Sequence, residues 1–256
     1  MVDRALTQLV ELCENTYNKD MTKLSAEQIR QLNSYSVYLT SPAHRLFTLH
    51  DLMDNTKTAD CIKAVQTVSG SPNMTVAASF FMRRVGMFIN MQMYNLATSD
   101  EMWNGDESKM CFGAIEEYGN KTVSTFVVEN DWKLVDEDKH RDIIRKILLW
   151  ANKIIRQIRT VTTISPLTLW ENIFGFLLWQ YHVMLENPAT SDTARADFII
   201  LKEDETWKDI ASKSLFAKFL NGHEPSELLN TTVRKTCCFS KDVPKLMQCG
   251  FCPLIY

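Results

Sequence analysis

Apolar side chains recur at three- and four-residue steps through residues 137–162, the longest periodic segment of this 256-residue chain. That spacing places them on one face of an amphipathic helix. The face consists of Ile143, Ile144, Ile147, Leu148, Ala151, Ile154, Ile155 and Ile158. A helix of this length must bury its apolar face against other elements, so the segment predicts a packed, helix-rich fold.

Residues that interrupt helices are scarce, with 8 glycines and 7 prolines in the whole chain. A hydrophobic content of 45% is ample for a core, so the chain is expected to fold rather than remain disordered. Ser165-Pro166 is typical of a helix start, because serine caps free amides and proline fits the first helical position. Helices are predicted at Val2–Cys13 and at about 25–39, 42–54, 60–68, 74–97, 137–162 and 165–186.

Short runs rich in β-branched and aromatic residues predict strands at 110–115, 122–128, 132–135 and 198–201. The first three are separated by turn-forming residues and predict a small antiparallel sheet. The predicted fold class is therefore α+β, helix-rich with a small antiparallel β-sheet and a C-terminal cluster-binding segment. We expect a mainly helical body over 1–231 and the segment 232–256 to form one structural unit.

Charge and motif content exclude several classes of function. The chain has 28 basic and 31 acidic residues, a net charge of −3, so nucleic acid is not an expected partner. No glycine-rich phosphate loop, nucleophile elbow or His-Glu-x-x-His motif is present. The five histidines are scattered without the spacing of metal ligands.

The sequence predicts no transmembrane segment. The uncharged stretch 85–99 is shorter than a bilayer span, and the stretch 160–185 is interrupted by Pro166 and contains Glu171. The start of the chain carries the acidic Asp3 and lacks an apolar run behind a basic start, unlike a secretory signal. We therefore expect a cytoplasmic protein whose seven cysteines serve burial or metal binding rather than disulfides.

Four of the seven cysteines lie within sixteen positions near the end of the chain: Cys237, Cys238, Cys249 and Cys252. Gly250 lies inside the Cys-x-x-Cys pair and is expected to help the backbone turn so that both sulfurs face one site. The nearby residues Lys235, Lys241 and Lys245 are expected to favour ionised thiolates.

Spacing alone leaves three interpretations of these cysteines: a structural zinc site, an iron–sulfur cluster, and disulfides or unrelated core residues. Structural zinc sites usually combine two pairs of ligands, with a short spacer between the two members of each pair. Cys237 and Cys238 are adjacent and have no spacer between them. Adjacent side chains of an extended backbone point apart, which suits a two-iron cluster better than one small ion. The spacing therefore favours a cluster without deciding the question.

The arrangement Cys-Cys, ten residues, Cys-Gly-x-Cys, preceded by Arg234-x-Thr236, resembles the siderophore-iron reductases of the FhuF type. Trp170-Glu171-Asn172, with Trp179 further on, is similar to a helix of the same family, and the overall length also matches. The resemblance implies a 2Fe-2S cluster on Cys237, Cys238, Cys249 and Cys252. It further implies reduction of ferric iron held by a siderophore, typically of the hydroxamate type.

Since the chain has no nucleotide-binding loop, an external electron donor such as a ferredoxin, a flavodoxin or a reductase is expected. A basic stripe on the 137–162 helix, including Arg156 and Arg159, and the residues Trp170 and Asn172 are the predicted siderophore or donor surface. Two alternatives stay open: a zinc-stabilised, non-enzymatic binding module, and a thiol–disulfide redox sensor based on the same four cysteines.

Overall fold

The computed structural model describes residues 23–117 and 119–254. The predicted helix at Val2–Cys13 lies outside these residues. The helices are α1 Ala26–Ser34, α2 Leu49–Met53, α3 Thr58–Ser69, α4 Met74–Ser99, α5 His140–Ile158, α6 Pro166–Glu186, α7 Ser191–Lys202, α8 Leu215–Leu220 and α9 Pro225–Leu228. The strands are β1 Val37–Tyr38, β2 His44–Thr48, β3 Glu101–Trp103, β4 Cys111–Glu117, β5 Asn120–Phe126 and β6 Trp132–Leu134. The α+β class is confirmed.

Helix α4 lies at the centre of the fold, where it packs against α3, α5 and α6, and most of its residues are buried. A Cβ atom built on Gly86 would lie 3.1 Å from the backbone oxygen of Asn172 and 3.2 Å from the Cα atom of Ile173. The absence of a side chain at Gly86 therefore permits a close approach of α4 to α6. Between the same helices, Asn90 donates to Gln180 over 3.1 Å in a buried hydrogen bond.

The sheet differs from the prediction of a single antiparallel one. Four strands are ordered β1-β5-β4-β2, and β1 runs parallel to β5, so this sheet is mixed. Strand β6 pairs instead with β3 in a separate antiparallel sheet of two strands, with Trp103 opposite Trp132. Both tryptophans are buried against Phe88 of α4, so the pairing of β3 with β6 is accompanied by burial of these two rings.

Two predictions of local structure were wrong. The segment 42–54 is a strand followed by a short helix, because Thr48 and Asp51 form a capping box that starts α2 at Leu49. The segment 198–201 belongs to helix α7. Its buried residues are Ala194, Asp197, Phe198 and Leu201, a three- and four-residue spacing that places them on one helical face.

Helices α5 and α6 agree with the prediction to within a few residues. The apolar face of α5 is buried, and Ser165 accepts a hydrogen bond from the backbone amide of Leu167 at the start of α6. Helix α6 is part of the core, with twelve buried residues. No helix in the described ranges combines the length and apolar character needed to span a membrane.

A buried histidine joins three elements on the side of the fold where α5 begins. His140 Nδ1 lies 2.9 Å from Asp197 Oδ1 of α7, and its Nε2 lies 3.0 Å from Asp100 Oδ1 after α4. The hydrogen bond with Asp197 is the main cause that raises the pKa of His140, with a further contribution from Asp100. Burial raises the pKa of Asp197. Both His140 and Asp197 therefore retain their protons to a higher pH than the free side chains would.

We expect the fold to lose stability as the pH rises through the raised pKa of His140. Below the pKa of the unfolded chain both states are protonated and the contribution is fully present; above the folded pKa it is lost. The free energy of unfolding, measured by urea denaturation, should fall as the pH rises above about 6.5, the usual pKa of histidine. His140→Gln should remove most of this dependence, and an equally steep dependence in the variant would contradict the assignment.

Candidate metal centre

The cysteine-rich segment, residues 234–252, lies over helices α4 and α6. Residues 249–252 form a turn in which the amide of Cys252 donates to the carbonyl oxygen of Cys249 over 3.1 Å. Gly250 is not among the residues with positive φ, and a Cβ atom there would meet nothing within 4 Å. The turn therefore does not need glycine for its backbone conformation, contrary to expectation; glycine leaves open space beside the cysteines.

Cys238 and Cys249 line the same pocket, and the side-chain interaction between them is the largest influence on the pKa of each thiol. The other two sulfurs accept N–H groups. Cys237 accepts the amide of Phe239 over 3.3 Å, and Cys252 accepts the side-chain nitrogen of Gln248 over 2.9 Å and the amide of Leu254 over 3.4 Å. Phe239 has a φ of 57°, an uncommon left-handed conformation for a bulky residue, and this conformation occurs directly after the adjacent cysteines.

Glu171 of α6 holds the start of the segment. Its carboxylate accepts the backbone amides of Lys235 and Thr236, each over 2.9 Å, and also the hydroxyl of Thr236. Glu171 is 1% exposed. A buried carboxylate satisfied by backbone amides fixes the position of the chain immediately before Cys237.

Arg234 provides the second anchor and is 5% exposed. Its guanidinium donates to the backbone oxygen of Glu171 over 3.0 Å and to Asn172 Oδ1 over 2.8 Å, with further hydrogen bonds to the carbonyl oxygens of Thr168 and Thr236. It also lies 3.8 Å from a carboxylate oxygen of Glu171. The charge of Arg234 is thus both paired and hydrogen-bonded, as a buried charge requires.

Helix α4 holds the segment from the other side. Ser79 donates to the carbonyl oxygen of Cys238 over 2.7 Å, and Arg83 donates to the hydroxyl of Ser240 over 2.6 Å. Ser240 in turn donates to the carbonyl oxygen of Met247 over 2.8 Å. These contacts tie both cysteine pairs to the same helix through a short chain of hydrogen bonds.

The surroundings favour a thiolate at Cys238. The hydrogen bond with Cys249 is the largest of the effects that lower the pKa of the Cys238 thiol, and the charges of Arg234 and Arg83 lower it further. The same hydrogen bond raises the pKa of Cys249. The cations that act on Cys238 are thus two arginines rather than the lysines expected from the sequence.

The donor set fits a thiolate-held metal group in its chemistry. All four sulfurs lie in one anchored segment, Cys238 is poised to ionise, and the sulfurs of Cys237 and Cys252 already accept N–H groups, as cluster sulfurs commonly do. Within residues 23–117 and 119–254, no three or more His, Cys, Asp or Glu side chains are grouped closely enough to hold a metal ion. The structure thus brings Cys238 and Cys249 together, with Cys237 and Cys252 in the same segment.

A pocket of about 300 Å³ opens beside these thiols. Cys238, Cys249 and Gly250 line the pocket together with aromatic residues from α6, from the cysteine-rich segment and from the position directly after α1. The full lining is Tyr35, Arg83, Asn172, Gly175, Phe176, Trp179, Arg234, Cys238, Cys249, Gly250 and Phe251. A small molecule in this pocket would therefore lie against two of the four cysteines.

The four other predicted site residues occupy different environments. Asn172 lines the pocket and is hydrogen-bonded to Arg234 and Ser79. Trp170 is 3% exposed, its ring stacks on Phe174 in the core, and it does not line the pocket, so its contact with a ligand stays a prediction.

Arg156 is exposed on α5, Arg159 is exposed directly after it, and neither lines the pocket. Part of their basic stripe is neutralised, because Arg141 pairs with Glu203 and Arg145 pairs with Asp209. That Arg156 and Arg159 bind a siderophore or donor stays a prediction.

Sequence reasoning missed the residues of α4 that reach the site. Ser79 and Arg83 lie more than 150 positions before Cys238 and Ser240, the residues to which they donate, and no motif in their neighbourhood marks them. Glu171 and Arg234 carried a signal, because both belong to the motifs Trp170-Glu171-Asn172 and Arg234-x-Thr236 quoted for the resemblance. Their roles as anchors follow only from the tertiary contacts.

Comparison with known proteins found no match to a protein-family model, to a curated protein or to a solved structure. The resemblance to the FhuF-type reductases thus rests on the motif residues of this sequence.

Proposed function

We propose that this chain is a cytoplasmic ferric-siderophore reductase in which Cys237, Cys238, Cys249 and Cys252 hold a 2Fe-2S cluster. The observation that carries the proposal is the pocket beside Cys238 and Cys249, which gives a ligand direct access to the cysteines. The motif resemblance supplies the kind of reaction, the reduction of ferric iron in a siderophore, typically a hydroxamate.

One electron is sufficient for the proposed reaction, and a two-iron cluster, when bound, supplies electrons one at a time. Ferric iron is a hard cation that suits the six oxygens of a siderophore, and ferrous iron binds the same ligands more weakly. Reduction therefore releases the metal for iron assimilation.

The chain's own residues would serve this reaction by stabilising negative charge. Arg83 and Arg234 act on the Cys238 thiolate, and N–H groups donate to the sulfurs of Cys237 and Cys252. Such contacts would favour the more negative, reduced state of a 2Fe-2S cluster bound to these cysteines and would raise its reduction potential. The electron would come from a ferredoxin, a flavodoxin or a reductase, since the sequence lacks a nucleotide-binding loop.

The deciding experiment is the analysis of anaerobically purified protein for iron, sulfide and zinc, with visible absorption and EPR spectra of the same sample. We expect about two irons and two sulfides per chain and an EPR signal that appears only after one-electron reduction. The sample should then reduce a ferric hydroxamate when supplied with a chemical reductant. Colourless protein with stoichiometric zinc that resists iron–sulfide reconstitution would refute the proposal and favour the zinc-stabilised binding module.

A thiol–disulfide sensor is the second candidate, favoured by the direct contact of Cys238 with Cys249. A thiolate beside a second thiol is poised to form a disulfide when an oxidant removes two electrons from the pair. This function predicts a colourless protein whose count of free thiols falls by two on mild oxidation and recovers on reduction. A stable iron content that survives purification would argue against it.

A further inference from the structure

The pocket beside Cys238 and Cys249 has a predominantly aromatic wall. Tyr35, Phe176, Trp179 and Phe251 all line it, and the rings of Tyr35 and Phe176 meet edge to face with their centroids 6.4 Å apart. Trp179 is 49% exposed, which leaves a large apolar surface in contact with solvent. Rings arranged around an open space are suited to stacking a flat ligand.

The pocket has few polar side chains, and most of them are already engaged in hydrogen bonds within the protein. Asn172 donates to Ser79 and accepts from Arg234, and the guanidinium of Arg234 is occupied by four oxygen atoms. Arg83 is different. In the part of the chain that the structure describes, its Nη1 donates to Ser240, and its Nη2 and Nε have no acceptor.

Arg83 therefore supplies donors with unused capacity at the edge of an aromatic pocket. A guanidinium with free N–H groups binds carboxylates, phenolates and similar oxyanions, and its planar fork favours a planar acceptor. The charged groups that line the pocket are the two cations Arg83 and Arg234 and the thiolate favoured at Cys238, and no Asp or Glu lines it.

We propose that this pocket binds a small planar aromatic anion, with its ring against Trp179 and Phe176 and its negatively charged edge on Arg83. Two sources share this chemistry: the ring system of a reduced flavin, which loses a proton near neutral pH, and a dihydroxybenzoyl arm of a siderophore. The volume of about 300 Å³ is at the lower end for ligand pockets, so it accommodates one such ring system rather than a complete three-armed ferric complex.

Binding of the aromatic anion stands on the pocket residues alone, and only its use for electron transfer rests on the proposed function. Its test therefore needs no reductase activity. A protein that binds the anion and lacks iron would disprove the reductase and keep the pocket. An iron-containing, active reductase that binds none of the aromatic anions would disprove the pocket proposal and leave the reductase proposal standing.

The test is calorimetric titration of the full-length, anaerobically purified protein with four probes. Reduced riboflavin and 2,3-dihydroxybenzoate represent the two sources, cyclohexanecarboxylate keeps the charge without the aromatic ring, and benzamide keeps the ring without the charge. We expect an aromatic anion to bind about tenfold or more tightly than cyclohexanecarboxylate or benzamide. Tighter binding of the flavin assigns the site to a flavin, and tighter binding of dihydroxybenzoate assigns it to a siderophore arm.

Three variants locate the binding. Trp179→Leu should weaken the binding of the aromatic anion about tenfold. Arg83→Gln should abolish the tighter binding of that anion relative to benzamide. Arg195→Gln is the matched control, because Arg195 lies on α7 outside the pocket and pairs with Glu224 on the surface, and the affinity of this variant should equal that of the wild type. Equal binding of cyclohexanecarboxylate and dihydroxybenzoate, or unchanged affinity in Trp179→Leu, would overturn the proposal.

Discussion

Serine at Cys238 or Cys249 is expected to lower both the iron content and the rate of ferric-siderophore reduction by about 100-fold or more. Each replacement removes one of four proposed thiolate ligands, and a hydroxyl has neither the low pKa nor the softness of a thiol. Iron and sulfide per chain, the visible spectrum and the reduction rate of a ferric hydroxamate would be measured together. This is the largest effect that the proposed function predicts.

Cys111 offers the matched control for these cysteine variants. It lies in strand β4, partly exposed, and its sulfur contacts the carbonyl oxygen of Lys109 rather than another thiol. Cys111→Ser should keep the iron, the spectrum and the rate of the wild type. If Cys238→Ser also retained full iron and full activity, the four-cysteine ligand set would be wrong.

The second large effect is expected from Arg234→Met, which should destabilise the protein by about 3–5 kcal/mol. The change leaves the buried Glu171 carboxylate without its cation, removes the donor to Asn172 Oδ1, and removes one hydrogen bond from each of two carbonyl oxygens of α6. The loss should be concentrated in the cysteine-rich segment, because the anchors connect that segment to α6. Urea denaturation gives the total effect, and hydrogen exchange of residues 235–252 gives its location.

Arg141→Met is the control for the change in charge and shape. Arg141 pairs with Glu203 on the surface, where both side chains are more than one third exposed, so its loss should cost no more than about 1 kcal/mol. Unchanged hydrogen exchange of residues 235–252 in Arg234→Met would show that the buried arginine does not hold the segment. Glu171→Gln should have an intermediate effect, since the amide oxygen still accepts one hydrogen bond.

The predictions from sequence succeeded where a local pattern matched a repeating structure. The three- and four-residue spacing on α5 and the Ser165-Pro166 start of α6 located both helices. They failed at 42–54 and 198–201, where short runs of apolar residues fit a strand and a helix equally well. At 198–201 the segment is helical, with Phe198 and Leu201 buried on the same face of α7.

Of the candidate site, the sequence by itself determined the four cysteines and their grouping, because the spacing of ligands along a short segment is a local property. Only the tertiary structure decided which residues surround them. Ser79 and Arg83 of α4 and the pocket wall with Tyr35 come from segments more than a hundred positions away along the chain. Such contacts depend on how α4 packs against α6, and the close approach at Gly86 sets that packing through side-chain volumes that no local pattern records.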